Sequence, residues 1–169
     1  MKSPENTYYA SSVIAGIKFD IFSSRKGIKK IYLNKKSSQL KTKETTKLQP
    51  DDPFMFNVFT ELKEYFEMQR AKFTVPLDIE GTKFQMKVWT ELSKIPFGKT
   101  VSYKTIAKKI GDEKAVRAVG RANGANPVPV IIPCHRVIAS DGKLGGYSAG
   151  EGIKEKLLEV EGCLSLELF

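Results

Sequence analysis

The chain has 169 residues, 28 Lys and Arg against 19 Asp and Glu, a formal net charge of +9 and 41% hydrophobic residues. That length suits one compact unit or two small domains, and the apolar fraction is that of an ordinary globular protein. No apolar run approaches the roughly 18 residues of a membrane span, and Met1–Asn6 lacks the apolar core of a signal peptide. A cytoplasmic protein with no membrane partner is expected. The basic balance suits a polyanion such as nucleic acid, and equally a surface kept basic for solubility. Two cysteines cannot build a disulfide framework. With one histidine they cannot assemble a four-ligand zinc site either, and no spacing suggests one completed by carboxylates.

From Tyr8 to Leu33 the chain is rich in Tyr, Val, Ile and Phe. Val13–Phe22 alternates in part, Ser23–Gly27 reads as a turn, and Ile28–Leu33 is another strand-like run. A small antiparallel sheet is expected. Asn34–Pro50, rich in Lys, Ser, Thr and Gln, reads as a mobile loop. Asp51-Asp52-Pro53 should open a helix, with Phe56, Phe59 and Phe66 as its core stripe. Phe73–Asp78 reads as an extended linker, so the domains are placed at 1–78 and 79–169.

In the second part, Gly81-Thr82 leads into a helix carrying Phe84, Val88, Trp89 and Leu92. Ser102 should cap a short helix, Tyr103 to Ile110. After the Gly111-Asp112 turn, Asp112 should cap a second helix, Glu113 to about Ala122. Ile106, Ala107, Val116 and Val119 form the inner face of a helix-turn-helix. The second helix is thin, with Ala115, Ala118, Gly120, Ala122 and Gly124, and cationic, with Arg117 and Arg121. Such a helix can approach a DNA groove closely, though small residues also serve packing between helices.

Asn126-Pro127-Val128-Pro129 bends the chain into a predicted strand, Val130–Ile132. Then comes the stretch with the most chemistry, Ile131-Ile132-Pro133-Cys134-His135-Arg136-Val137-Ile138, where a cysteine adjoins the only histidine. A free thiol is mostly protonated at neutral pH, so a nucleophilic cysteine needs a base or a cation. Sequence adjacency alone does not bring the two side chains together, and free cysteine commonly serves as a small buried hydrophobe. Ser140-Asp141-Gly142-Lys143 reads as a hairpin-like turn. Leu144–Gly150 carries glycines that let backbone N–H groups face a ligand. A final amphipathic helix, Ile153 to about Val160, ends at Glu161-Gly162 with glycine as its cap. Cys163 reads as structural.

Ile132-Pro133-Cys134-His135-Arg136-Val137 resembles the active-site signature of the O6-methylguanine-DNA methyltransferases. Pro96–Tyr103, Arg117–Gly120, Asn126-Pro127, Gly146-Tyr147-Ser148 and Glu161-Gly162 also fall in that family's order and spacing. The match covers about Gly81 to Gly162. The resemblance implies an α+β, two-domain fold: a ribonuclease H-like scaffold of small sheet plus helix, then a helical, winged-helix-like domain with the helix-turn-helix.

It also implies direct-reversal DNA repair, a flipped O6-alkylguanine handing its alkyl group once and irreversibly to a cysteine. Cys134 would be the acceptor, His135 its base through a water, Glu161 the group orienting that base, and Asn126 the brace of the active-site turn. Tyr103 would donate to guanine N3, and the carbonyls of Cys134 and Val137 would receive the exocyclic amine. Tyr147 would wall the pocket and the N–H of Ser148 would face O6. Ala149 stands where many relatives carry glycine; its methyl would narrow the pocket mouth. Arg117 would fill the gap in the base stack, and Tyr103, Lys104 and Ser140 would join it on the DNA. The zinc ligands of some relatives are absent, so neither metal nor cofactor is expected. The partner would be double-stranded DNA, bound through its minor groove by a monomer. A non-catalytic reader of alkylated bases and a Cys-His hydrolase are the alternatives. The first would lack the acceptor cysteine, and the second leaves Arg117, Tyr103 and the basic helix unexplained.

Overall fold

The computed structural model describes residues 6–36, 45–150 and 152–164. The chain divides into two compact units, Met1–Ile79 and Glu80–Phe169.

The first unit is built on a four-stranded sheet. Its strands are β1 (Thr7–Ile14), β2 (Ile17–Ser23), β3 (Ile28–Leu33) and β4 (Thr45–Lys47), in the order β3-β2-β1-β4. Val13–Phe22 is therefore not one strand. Ala15 and Gly16 both take positive φ, 51° and 77°, and turn β1 back onto β2 with Ile14 opposite Ile17. Two residues of that hand match the twist of the flanking strands. The sheet is mixed rather than wholly antiparallel, because β4 pairs parallel to β1. That strand falls in the stretch expected to be a loop; 37–44 of the same stretch lies outside the described residues.

Helix α1 (Phe56–Phe66) begins later than Asp51-Asp52-Pro53 suggested. Asp52 shapes the preceding turn: its carboxylate accepts from Phe54 N–H and its carbonyl from Met55 and Phe56 N–H. The expected aromatic stripe is buried only at Phe59; Phe66 is half-buried, edge-on to Phe19. Phe56 is 52% exposed, and the buried face is Val58, Phe59, Glu61, Leu62 and Tyr65.

Nor is Phe73–Asp78 a free linker. Buried Glu61 accepts from Thr74 N–H at 2.8 Å and Val75 N–H at 3.3 Å. Ile28 N–H donates to Pro76 O and Asp78 N–H to Ile28 O, both at 2.9 Å. The backbone of Pro76 runs so close to Gly27 that a Cβ there would lie 2.5 Å from the Pro76 carbonyl oxygen, which only glycine permits.

The second unit holds α2 (Lys83–Ser93), β5 (Val101–Ser102), α3 (Tyr103–Lys109), α4 (Val116–Gly124), β6 (Val137–Ile138) and α5 (Ile153–Val160). Thr82 and Gln85 close a capping box at the start of α2. Trp89 of that helix donates its indole N–H to Ala122 O of α4 at 2.8 Å. Ser102 caps α3 by accepting from Thr105 N–H. Helices α3 and α4 form the helix-turn-helix around Ile106, Ala107 and Val119, while Val116 is only half-buried. Asp112 does not cap α4. Its side chain accepts from Lys114 N–H and its carbonyl from Ala115 N–H, so the helix starts at Val116.

The short parallel pair of β5 and β6 sets Val101 beside Val137 and Ser102 beside Ile138. At the end of α5, Cys163 N–H reaches Leu158 O and Gly162 N–H reaches Glu159 O, with Gly162 at φ +69°. These are the two bonds of a left-handed C-terminal cap. Among the described residues no helix is long and apolar enough to cross a membrane.

Candidate active site

The approach to Cys134 is a tight turn, not the expected strand Val130–Ile132. Ile132 N–H closes back on Val128 O at 3.0 Å, and fully buried Val130 is held at φ +75°. A β-branched residue rarely adopts that conformation, and the surroundings must hold it there. Pro133, at φ −81° and ψ 63°, makes an inverse γ-turn closed by Cys134 N–H to Ile132 O at 2.8 Å. Cys134, His135 and Arg136 then form one 3₁₀ turn whose three side chains are all buried. Asn126 braces the loop from inside. Its Nδ2 donates to Ile132 O at 2.7 Å and its Oδ1 accepts from Val128 N–H at 3.0 Å.

Glu161, at the end of α5, meets this turn with a fully buried carboxylate. It accepts from His135 Nε2 at 2.7 Å, from Arg136 Nε at 2.8 Å and Nη2 at 2.9 Å, and from Gly98 N–H at 3.2 Å. Arg136 also donates to Ile95 O at 2.5 Å. Two cationic-type donors and a backbone amide satisfy a charge that would otherwise be costly to bury. Burial holds His135 below its ordinary 6.5 against the pull of Glu161, so the ring is a neutral base at neutral pH.

The Cys134 thiol is 1% exposed. Burial pushes it above its ordinary 9.0, while hydrogen bonds with Asn126 and Tyr147 and the nearby Lys154 charge pull the other way. The thiol donates to Tyr147 Oη at 3.7 Å. Tyr103, the first residue of α3, is close enough for the cysteine's charge to help raise its pKa, after burial. Its hydroxyl would lie 3.8 Å from a Cβ built on Gly145.

The structure thus brings Cys134, His135, Glu161, Asn126, Tyr103, Val137 and Tyr147 together. Ser148 is exposed and Ala149 half-buried, just beyond Tyr147. Arg117, Lys104 and Ser140 are exposed on α4, on α3 and at the 139–143 turn, outside the hydrogen-bonded cluster.

Three further residues were not singled out from the sequence. Arg136 lies inside the quoted signature yet was given no role. Lys154 is buried, and its ammonium bridges Val137 O at 2.7 Å and Leu144 O. Its position between Ile153 and Leu157 on the apolar face of α5 was the available signal. Asn123 of α4, also buried, donates Nδ2 to Cys134 O at 3.3 Å. Nothing in its surroundings of small residues marked it. Among the described residues, no group of three His, Cys, Asp or Glu side chains could hold a metal.

The site presents a buried thiol adjacent in the chain to a histidine–carboxylate pair, in a unit built on a helix-turn-helix. Residues 83–163 match the family model for the 6-O-methylguanine DNA methyltransferase DNA binding domain, and residues 7–79 match the model for its ribonuclease-like domain. The chain is 39% identical over 164 residues to the inducible methylated-DNA–protein-cysteine methyltransferase of Bacillus subtilis, covering 95% of this chain and 87% of that one. It is 49% identical over 112 residues to the corresponding protein of Methanosarcina acetivorans, covering 66% and 72%. The crystal structure of Mycobacterium tuberculosis O6-methylguanine methyltransferase superposes with a TM-score of 0.84 at 34% identity, over 96% of this chain and 97% of that one. A structure of Mycobacterium tuberculosis OGT in complex with DNA gives 0.84 at 35%, over 92% and 93%. The chain belongs to the methylated-DNA–protein-cysteine methyltransferase family.

Proposed function

We propose that this protein repairs DNA by moving an alkyl group from O6 of guanine to Cys134, once per molecule. The observation that carries the reading is the buried Cys134 thiol, adjacent in the chain to a histidine locked at 2.7 Å onto buried Glu161.

The resting thiol is protonated, so it must lose its proton as it attacks. With Nε2 of His135 bonded to Glu161, Nδ1 is the nitrogen for that transfer, through a water. Sulfur attacks the alkyl carbon in line, the carbon–O6 bond breaks, and its electron pair leaves on guanine, which ends protonated at nitrogen. The thiol proton and the alkyl group have exchanged places. A thioether is stable to every group in the site, so the acceptor is consumed.

The target atom lies inside a duplex, so the nucleotide must swing out, at a cost of about a few kcal/mol. Arg117 on the thin helix α4 fills the gap left in the stack, and Lys104, Ser140 and Tyr103 hold the flanking strand. Tyr103 donates to guanine N3 and Ser148 N–H faces O6, stabilising the leaving anion in a dry pocket. The carbonyls of Cys134 and Val137 receive the exocyclic amine: Lys154 pre-orients that of Val137, while that of Cys134 already accepts from Asn123 Nδ2 and Val137 N–H and must share a lone pair with the amine. Lys154 also favours the thiolate as it forms. The methyl of Ala149 narrows the entry for bulky alkyl groups. The protein works on duplex DNA through the minor groove as a monomer, with residues 1–78 as scaffold and 79–169 as the working domain.

The test is incubation with duplex carrying O6-methylguanine labelled in its methyl. One equivalent of label on the peptide containing Cys134, and none with Cys134→Ser, is the expected result. Binding without transfer would instead indicate a reader of damaged bases, and repeated turnover a hydrolase.

A further inference from the structure

A second basic surface lies away from the thiol. Helix α2 and the end of α3 enclose a groove of about 630 Å³ lined by Lys83, Met86, Lys87, Glu91, Lys109 and Ile110. Met86, 36% exposed, and half-buried Ile110 give it an apolar floor. Its one acidic residue is already neutralised, because Glu91 pairs with Lys94 at 2.5 Å. Among the described residues, no acidic side chain lies within ion-pairing distance of Lys83, Lys87 or Lys109. Three unpaired ammonium groups facing one groove repel each other unless an anion joins them.

The groove's place in the fold says which anion. Lys109 and Ile110 run directly into the turn Gly111–Ala115, which delivers the first residue of α4. That turn carries exposed Lys114, and Arg117 follows on the first turn of the helix. A duplex engaged by α4 extends beyond the lesion, and the groove adjoins the turn that leads into that helix. Deoxyribose faces suit Met86, Ile110 and the lysine stems, and phosphates suit the ammonium heads. An acidic peptide would match the charge but has no such continuity with the DNA-facing helix.

We infer that the groove between α2 and α3 is a second DNA contact, in which Lys83, Lys87 and Lys109 grip backbone phosphates outside the lesion. This rests on α4 being the helix that meets DNA. The test compares the full chain with K83Q/K87Q/K109Q, binding a fluorescent duplex that carries one O6-methylguanine, from 50 to 300 mM salt. Each lost phosphate contact removes about 0.9 from the slope of log affinity against log salt. The triple variant should therefore lose about 2 to 3 from that slope and bind on the order of 100-fold or more weakly near 0.1 M salt. The two lines should converge towards 1 M, and the melting curves should coincide.

An unchanged slope, with Arg117→Ala still weakening binding, overturns the groove and leaves the α4 reading intact. An unchanged slope together with capture of an acidic peptide by the wild type, lost in the triple variant, also overturns it. If neither wild type nor variant binds the duplex, the underlying reading of α4 fails instead.

Discussion

Glu161 draws hydrogen bonds from two parts of the second unit: the Cys134–Arg136 turn supplies three and Gly98 another. Its charge, not only its shape, is needed there. Glu161→Gln keeps the volume but leaves Arg136 buried without a counter-ion, a change expected to cost about 3–5 kcal/mol. Chemical denaturation should show that loss, and single-turnover transfer should slow as well. Transfer at the wild-type rate would mean that the carboxylate does not act through His135. At this scale the sequence was legible where residue type is itself chemistry: a cysteine next to the only histidine, and a glutamate ahead of a glycine cap. It was silent on Arg136, Lys154 and Asn123, because charge and polarity in a sequence do not reveal which groups are buried. A lysine on the apolar face of α5 was the one visible sign.

Element by element, the helices read well because their ends carry chemical punctuation. Thr82 with Gln85, Ser102, and Gly162 all act as their types suggest. The failures have physical causes. Asp112 lies one turn too early to cap α4 and serves its own turn instead. Val130–Ile132 has strand-like composition, but Asn126 and two prolines fold it into a loop that no propensity describes. That brace is specific in its chemistry. Asn126→Asp keeps an acceptor for Val128 N–H but cannot donate to Ile132 O as a carboxylate. It should therefore cost about 1–3 kcal/mol for the unsatisfied carbonyl. Reaction of Cys134 with labelled duplex should fall by more than the unfolded fraction accounts for. A fall matching only that fraction would reduce Asn126 to a structural part.

For the molecule as a whole, burial of the histidine ties stability to pH. His135 titrates below 6.5 in the fold and near 6.5 in the unfolded chain. As pH falls through 6.5 the unfolded chain takes up a proton that the folded one refuses, so the stability present above 6.5 shrinks. Melting temperature should drop between pH 7 and 5.5, and His135→Asn should flatten that part of the curve. A wild-type profile that is flat there would contradict a neutral buried ring. The α+β class followed from the family resemblance, and the charge of +9 was plain from the sequence. The parallel strand β4 was not, since Thr45–Lys47 is polar and gains its partner only when β1 is in place.

The cover over Cys134 has one more consequence. If the proposed transfer spends the thiol once, the thiol must survive its wait. Held as a thiol beneath Tyr147 with almost no surface open to water, the sulfur offers peroxide and stray electrophiles a poor target. Under the proposed reaction, shelf life and reactivity are thus separated: the buried thiol stays dormant until His135 draws off its proton.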